Sequence, residues 1–115
     1  MATRISHDRG GTDRILTTEG TAGNSGVEVG IVVSTGYGYL PHRHTWKTTI
    51  AGGPTSIQVD LEGSIDGSTW SQIDTSTAVA GELRHIVNKP VRFVRAKLVA
   101  IAGGASPTAT VDYAA

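Results

Sequence analysis

Ser56 to Ile73 reads SIQVDLEGSIDGSTWSQI, and the fold turns on how this stretch is read. Ile57, Val59 and Leu61 alternate with Gln58, Asp60 and Glu62. A period of two puts the apolar side chains on one face of a strand and the polar ones on the other. Asp66-Gly67 then signals a hairpin, because a primed turn needs positive φ and Gly adopts it at little cost. The return strand starts beside Trp70, whose indole is expected to fold over the sheet and close one end of a core. Trp70 and Trp46 are both expected to be buried near Val59, Leu61 and Phe93.

Working outward, further strands follow the same period. Val27, Val29, Ile31 and Val33 fall on one face of a strand over 27–34. Trp46, Thr48 and Ile50 are in phase over 43–50. In 82–87 the face carrying Leu83, His85 and Val87 is expected to point inward. The phase of 91–101 is ambiguous, because Val91, Phe93 and Val99 face opposite to Val94, Ala96 and Leu98, which calls for a bulge or two-sided burial. Ala109, Val111 and Tyr113 align over 108–113. Turn signals lie at 51–55, 88–90 and 103–107. No stretch carries an apolar stripe at helical spacing.

The chain has 115 residues, which suits one domain. Hydrophobic residues make up 38% of it, enough for one modest core between two layers with solvated outer faces. The 15 Gly disfavour helices, and Thr, equally common, favours strands and turns. The fold class expected is all-β: a single antiparallel β-sandwich over 27–115, of jelly-roll or immunoglobulin-like connectivity. Residues 1–26 are polar, with Arg4, Arg9 and Arg14 interspersed with Asp8 and Asp13. They are expected to form an extended N-terminal arm, either flexible or ordered on a neighbouring subunit.

No Cys is present, which excludes disulfides and thiolate-bound zinc. A formal net charge of zero gives no bulk attraction to nucleic acid or to an anionic membrane. The first 25 residues lack the apolar stretch of a signal peptide. A complete short gene product made in a host cytoplasm is the expectation.

Catalytic and metal motifs are weak. His42 and His44 could supply half a zinc site, but no spacing brings His7, His85 or a carboxylate to them. No Ser sits in a nucleophile-elbow signature. Gly36-Tyr37-Gly38-Tyr39 is too short for a phosphate loop and reads as a surface or contact loop, with Tyr37 and Tyr39 as the aromatics. Asp66 lacks the alternating acidic pattern of a calcium loop and is expected to shape its own turn. No enzyme, cofactor or metal is expected. Charge is distributed more tellingly. Asp60, Glu62, Asp66, Asp74 and Glu82 form an acidic block, and Arg84, Lys89, Arg92, Arg95 and Lys97 a basic one. The blocks can pair within a subunit or between subunits. Asp60 and Glu62 with Arg95 or Lys97 are the residues expected at a homo-oligomer contact, a trimer.

The run LEGSIDGSTW over 61–70, with KPVRFVRA over 89–96, resembles small β-sandwich proteins of tailed-bacteriophage virions. Ser64, Asp66, Gly67 and Trp70, with Arg92, Phe93, Val94 and Arg95, also resemble the two strand motifs of discoidin-type carbohydrate-binding domains. The first resemblance implies a capsid decoration or cement protein. Such a protein binds the major capsid protein or another virion protein at the capsid surface. The second implies a carbohydrate-binding module on a tail or fibre, which would need exposed aromatics at one loop end.

Overall fold

A computed structural model describes residues 4–6, 13–17, 28–34 and 43–114. Their strands are β1 (Arg4–Ser6), β2 (Asp13–Thr17), β3 (Glu28–Val29), β4 (Val32–Ser34), β5 (His44–Ala51), β6 (Ser56–Ser64), β7 (Ser71–Ser76), β8 (Glu82–Ile86), β9 (Phe93–Ala102) and β10 (Thr108–Ala114). They form two sheets. The larger runs β1-β4-β9-β6-β7, with β3 also on β9; the smaller runs β2-β10-β5-β8. All pairings are antiparallel except β1 with β4, which is parallel. The orders β2-β10-β5-β8 and β4-β9-β6-β7 follow a jelly roll, in which the chain passes back and forth between two four-stranded sheets. Of the two connectivities left open by the sequence, this is the one adopted, with β1 added at an edge.

The core lies between the sheets. Ile57, Val59 and Leu61 of β6 meet Val94, Ala96, Leu98 and Ile101 of β9 and, from the other sheet, Trp46, Ala109, Val111 and Tyr113. These are the alternating positions expected for β5, β6 and β10. Strand β9 carries a bulge: Gln58 faces Ala100 but Val59 faces Leu98, so Val99 is the extra residue. Two more bulges place Ile73 as the extra residue in β7 and Ile15 in β2.

Four expectations need correction. First, 1–26 is not simply an arm. Asp13–Thr17 is a strand of the smaller sheet, and its bulge turns both Ile15 and Leu16 into the core. Arg4–Ser6 pairs with β4. Second, the strand expected over 27–34 breaks at Gly30. The Gly30 N–H bonds Ala96 O at 2.8 Å, and the next N–H, of Ile31, bonds Ile15 O at 2.9 Å. A Cβ on Gly30 would lie 1.8 Å from that same Ile15 oxygen, so only Gly admits β2 here. Third, β8 is inverted. Glu82, Arg84 and Ile86 turn inward, while Leu83 and Val87 are 57% and 56% exposed. The inward face of β8 is claimed by polar contacts to β7, described below. Fourth, Trp46 is buried, but Trp70 is only half-buried and stands under the Arg95 guanidinium, 4.3 Å from its ring centroid.

Candidate functional site

Three polar clusters and one apolar row stand out among the described residues. The first cluster is on the outer face of the larger sheet. The β6–β9 register sets Asp60 opposite Lys97 and Glu62 opposite Arg95. Arg95 Nε donates to Glu62 Oε1 at 2.7 Å, and its guanidinium covers Trp70. Asp60 Oδ1 accepts from Thr75 Oγ1 at 2.7 Å and from the Gln58 and Gln72 amides. Four residues expected at a subunit contact are thus brought together, and at least Glu62 and Arg95 pair within one chain.

The second cluster spans the gap between β7 and β8, the edge strands of the two sheets on one side. Asp74 Oδ2 accepts from the Trp46 indole N–H at 2.8 Å and from Arg84 Nε at 2.8 Å, and Asp74 Oδ1 accepts from Arg84 Nη2. Glu82 takes Arg84 Nη1 on one carboxylate oxygen and the Ser76 hydroxyl, at 2.6 Å, on the other. Partial burial pushes the Asp74 carboxyl up, but hydrogen bonds from Arg84, Trp46 and the Thr75 N–H outweigh it and leave it below the usual range. The acidic and basic blocks of the sequence therefore meet inside one subunit here as well.

The third is buried. His44 Nε2 lies 2.8 Å from Lys89 O, and Nδ1 lies 2.6 Å from Tyr113 Oη. A carbonyl can only accept, so Nε2 carries the proton and Nδ1 accepts from the tyrosine hydroxyl. Burial, then the nearby Asp13 charge, pushes the Tyr113 hydroxyl well above its ordinary pKa, so it stays a donor. Both imidazole nitrogens of His44 are occupied by these contacts, which leaves neither lone pair for a metal.

Asp66 shapes its own loop. Its Oδ1 accepts from the Ser68 and Thr69 N–H groups at 2.8 Å each and from the Ser64 hydroxyl. These donors, Thr69 and Ser68 first, hold its pKa at about 2. The Ser64 hydroxyl in turn accepts from Gly67 N–H, and Gly67 has φ +80°. The hairpin loop is therefore wider than a two-residue turn, which is why Trp70 emerges on the outer face.

Among the remaining expected residues, Arg14 is exposed and bonds both oxygens of Asp112, its Nε at 2.9 Å. Arg4 is placed by its backbone in β1. Tyr37, Tyr39, Arg9, His7 and His42 lie outside the described residues. The sequence reading picked out the row Leu83, His85 and Val87 but turned it inward; in the structure it faces outward, along β8 and one residue past its end. The signal was in plain view: ELRHIV offers two alternating faces. The charged one goes inward only because Asp74 and Ser76 wait on the other sheet.

No family model matches the chain, and no curated protein matches it in sequence. Solved structures resemble it in fold. PirA aligns with TM-score 0.49 and 15% identity over 93% of this chain and 95% of its own. The Aeromonas hydrophila protein PliG, a periplasmic inhibitor of g-type lysozyme, aligns with TM-score 0.48 and 8% identity over 98% and 96%. The SPBc2 prophage-derived protein YomS aligns with TM-score 0.52 and 12% identity, covering 89% of this chain and 91% of that one. What the chain shares with that prophage-derived protein, nearly end to end, is the all-β sandwich fold.

Proposed function

We propose that the chain is a structural protein of a tailed-phage virion, a cement that binds the head lattice and works by adhesion rather than catalysis. The observation that carries this reading is where its reactive groups go. Asp74, Glu82 and Arg84 tie the sheets together, His44 and Tyr113 bond one another, and Glu62 holds Arg95. Among the described residues, these side chains hold the two sheets together, which supports a reading in which the outer surfaces carry the function. The hairpin motif over 61–70 resembles phage virion proteins, and the fold is that of a protein from a prophage. Jelly rolls serve both as capsid and as lectin domains, so fold alone does not choose between adhesion to protein and to sugar. Arg95 lies over one face of the Trp70 ring and leaves it less open to a sugar, while Tyr37 and Tyr39, the aromatics expected to serve a sugar, lie outside the described residues.

Glu62 pairs with Arg95, and Asp74 and Glu82 pair with Arg84, within one chain, so these pairs supply no reason of their own for a trimer. The test is to mix the purified chain with heads assembled from the major head protein of the same genome and spin them through a gradient. Co-sedimentation at a saturable ratio, with heads that then resist heat better, is the expected result. A chain that stays at the top of the gradient at every ratio overturns the reading.

A further inference from the structure

The edge strands are β1, β3 and β7 in the larger sheet and β2 and β8 in the smaller, and an exposed edge is a template for pairing unless it is guarded. Among the described strands, every edge but that of β8 is guarded. Strands β1 and β3 have three and two residues, β7 is broken by its bulge at Ile73, and β2 is bulged at Ile15 and bonded through Ile15 O to Ile31. Strand β8 is different. It runs in unbroken register along β5 from Glu82 to Ile86. Its outward face carries Leu83 and, one residue past the end of the strand, Val87, both more than half exposed, and no Lys, Arg, Asp, Glu or Pro. Inward charges can also guard an edge, but Glu82 and Arg84 are already satisfied by Ser76 and Asp74 of the same chain. They leave no charge to be buried unpaired.

The backbone agrees. The Glu82 N–H donates to Thr48 Oγ1 at 2.9 Å, and the same hydroxyl approaches Glu82 O, so both backbone groups of Glu82 face β5. Backbone direction alternates along a strand with a period of two. Arg84 and Ile86 therefore also face β5, while Leu83, His85 and Val87 turn their N–H and C=O groups to the open side. We infer that β8 is a self-pairing edge: it pairs antiparallel with β8 of a second copy of this chain about a two-fold axis through His85.

That register is the one the side chains favour. With His85 facing His85 of the second copy, Leu83 faces Val87 of the second copy and Val87 faces its Leu83. Two apolar cross-strand pairs form where alternative registers would set unlike groups together. The same three positions are those whose backbone groups point outward, which gives about six hydrogen bonds, two per facing pair. Asn88, with φ 63°, turns the chain away and limits the pairing to this length. A formal net charge of zero removes bulk repulsion between copies. The contact joins two four-stranded sheets into one continuous sheet, and a two-fold contact of this kind is self-complementary and closed. This inference does not depend on the virion role.

Sedimentation velocity of the full chain over a wide concentration range, with two double variants, tests it. The parent chain is expected to sediment as a dimer. Leu83→Lys with Val87→Lys sets lysine against lysine twice and is expected to be a folded monomer at those concentrations, with an unchanged far-ultraviolet dichroism spectrum. Leu83→Lys with Val87→Glu sets lysine against glutamate and is expected to recover the dimer. A parent that is monomeric throughout overturns the proposal. A dimer that survives the double lysine variant also overturns it, and so does a Lys/Glu variant that remains monomeric.

Discussion

The two sides of the sandwich are closed by different chemistry. On the β2/β4 side the seam is backbone: Ile31 N–H to Ile15 O, admitted by the missing side chain of Gly30 and sealed by Ile15 and Leu16. On the β7/β8 side the seam is side chain: Asp74, Arg84, Glu82 and Ser76, with the Trp46 indole reaching in from the core. The backbone seam rests on a main-chain hydrogen bond that carries no titrating group. The side-chain seam titrates, competes with water and salt, and fixes which face of β8 is left outside. The difference shows how one fold can make one margin permanent and leave the other adjustable.

The comparison breaks most readily at Gly30. Gly30→Ala drives a methyl into the Ile15 carbonyl and removes the Ile31 bond, and we expect a loss of about 3–4 kcal/mol in urea unfolding, from overpacking and a broken hydrogen bond together. Arg84→Ala opens the opposite margin. Removing one member of a buried ion pair costs about 3–5 kcal/mol, but Arg84 is 36% exposed and water replaces part of what is lost, so about 1–2 kcal/mol is expected by the same measurement. A backbone-closed margin should also ignore acid, whereas the ionic one should not. The folded Asp74 carboxyl lies below its ordinary value near 3.8, so as pH falls the unfolded chain takes up protons first. Its contribution is complete above about pH 5 and disappears as pH drops through the folded value. Amide exchange near β7 and β8 should therefore quicken below pH 4 while Ile31 stays protected, and Asp74→Asn should flatten that dependence. Equal protection of both margins in acid would sink the distinction. The smallest effect belongs to Arg14→Ala. Its pair with Asp112 is solvent-exposed, and its loss should leave the melting temperature within the scatter of repeated scans.

Much of this architecture was legible from alternation alone, because β5, β6 and β10 each bury one face and leave the other wet. In β9 apolar residues on both faces called for a bulge or two-sided burial, and a bulge is found at Val99. What escaped alternation did so for physical reasons. Ile15 and Leu16 are neighbours in sequence, and two adjacent apolar residues do not read as a strand unless a bulge turns both inward. In β8 an ion pair to a strand of the other sheet outweighed the local apolar pattern, and nothing in six residues reports a partner ten positions back. Trp70 followed the Ser64–Asp66 loop, whose width depends on side chains bonding backbone. The charge blocks foretold pairing, but sequence order cannot say whether partners lie in one chain or two.

The strand order has a consequence for how the molecule is made. The central strand of the larger sheet is β9, which holds β3, β4 and β6, and β10 is inserted between β2 and β5 in the smaller one. Both follow the other described strands in sequence, and β10 pairs residue 112 with residue 14. Until Phe93–Ala114 has left the ribosome, the larger sheet is three fragments, β1-β4, β3 and β6-β7, and the smaller is two, β2 and β5-β8, with raw edges facing an empty slot. Neither layer can be completed progressively during synthesis, and folding must wait for the last strands and then proceed through distant contacts. Chains built on such distant pairings fold in about milliseconds to seconds rather than microseconds. Refolding by stopped-flow dilution should fall in that slow range, and a chain cut before Phe93 should show no cooperative unfolding at all.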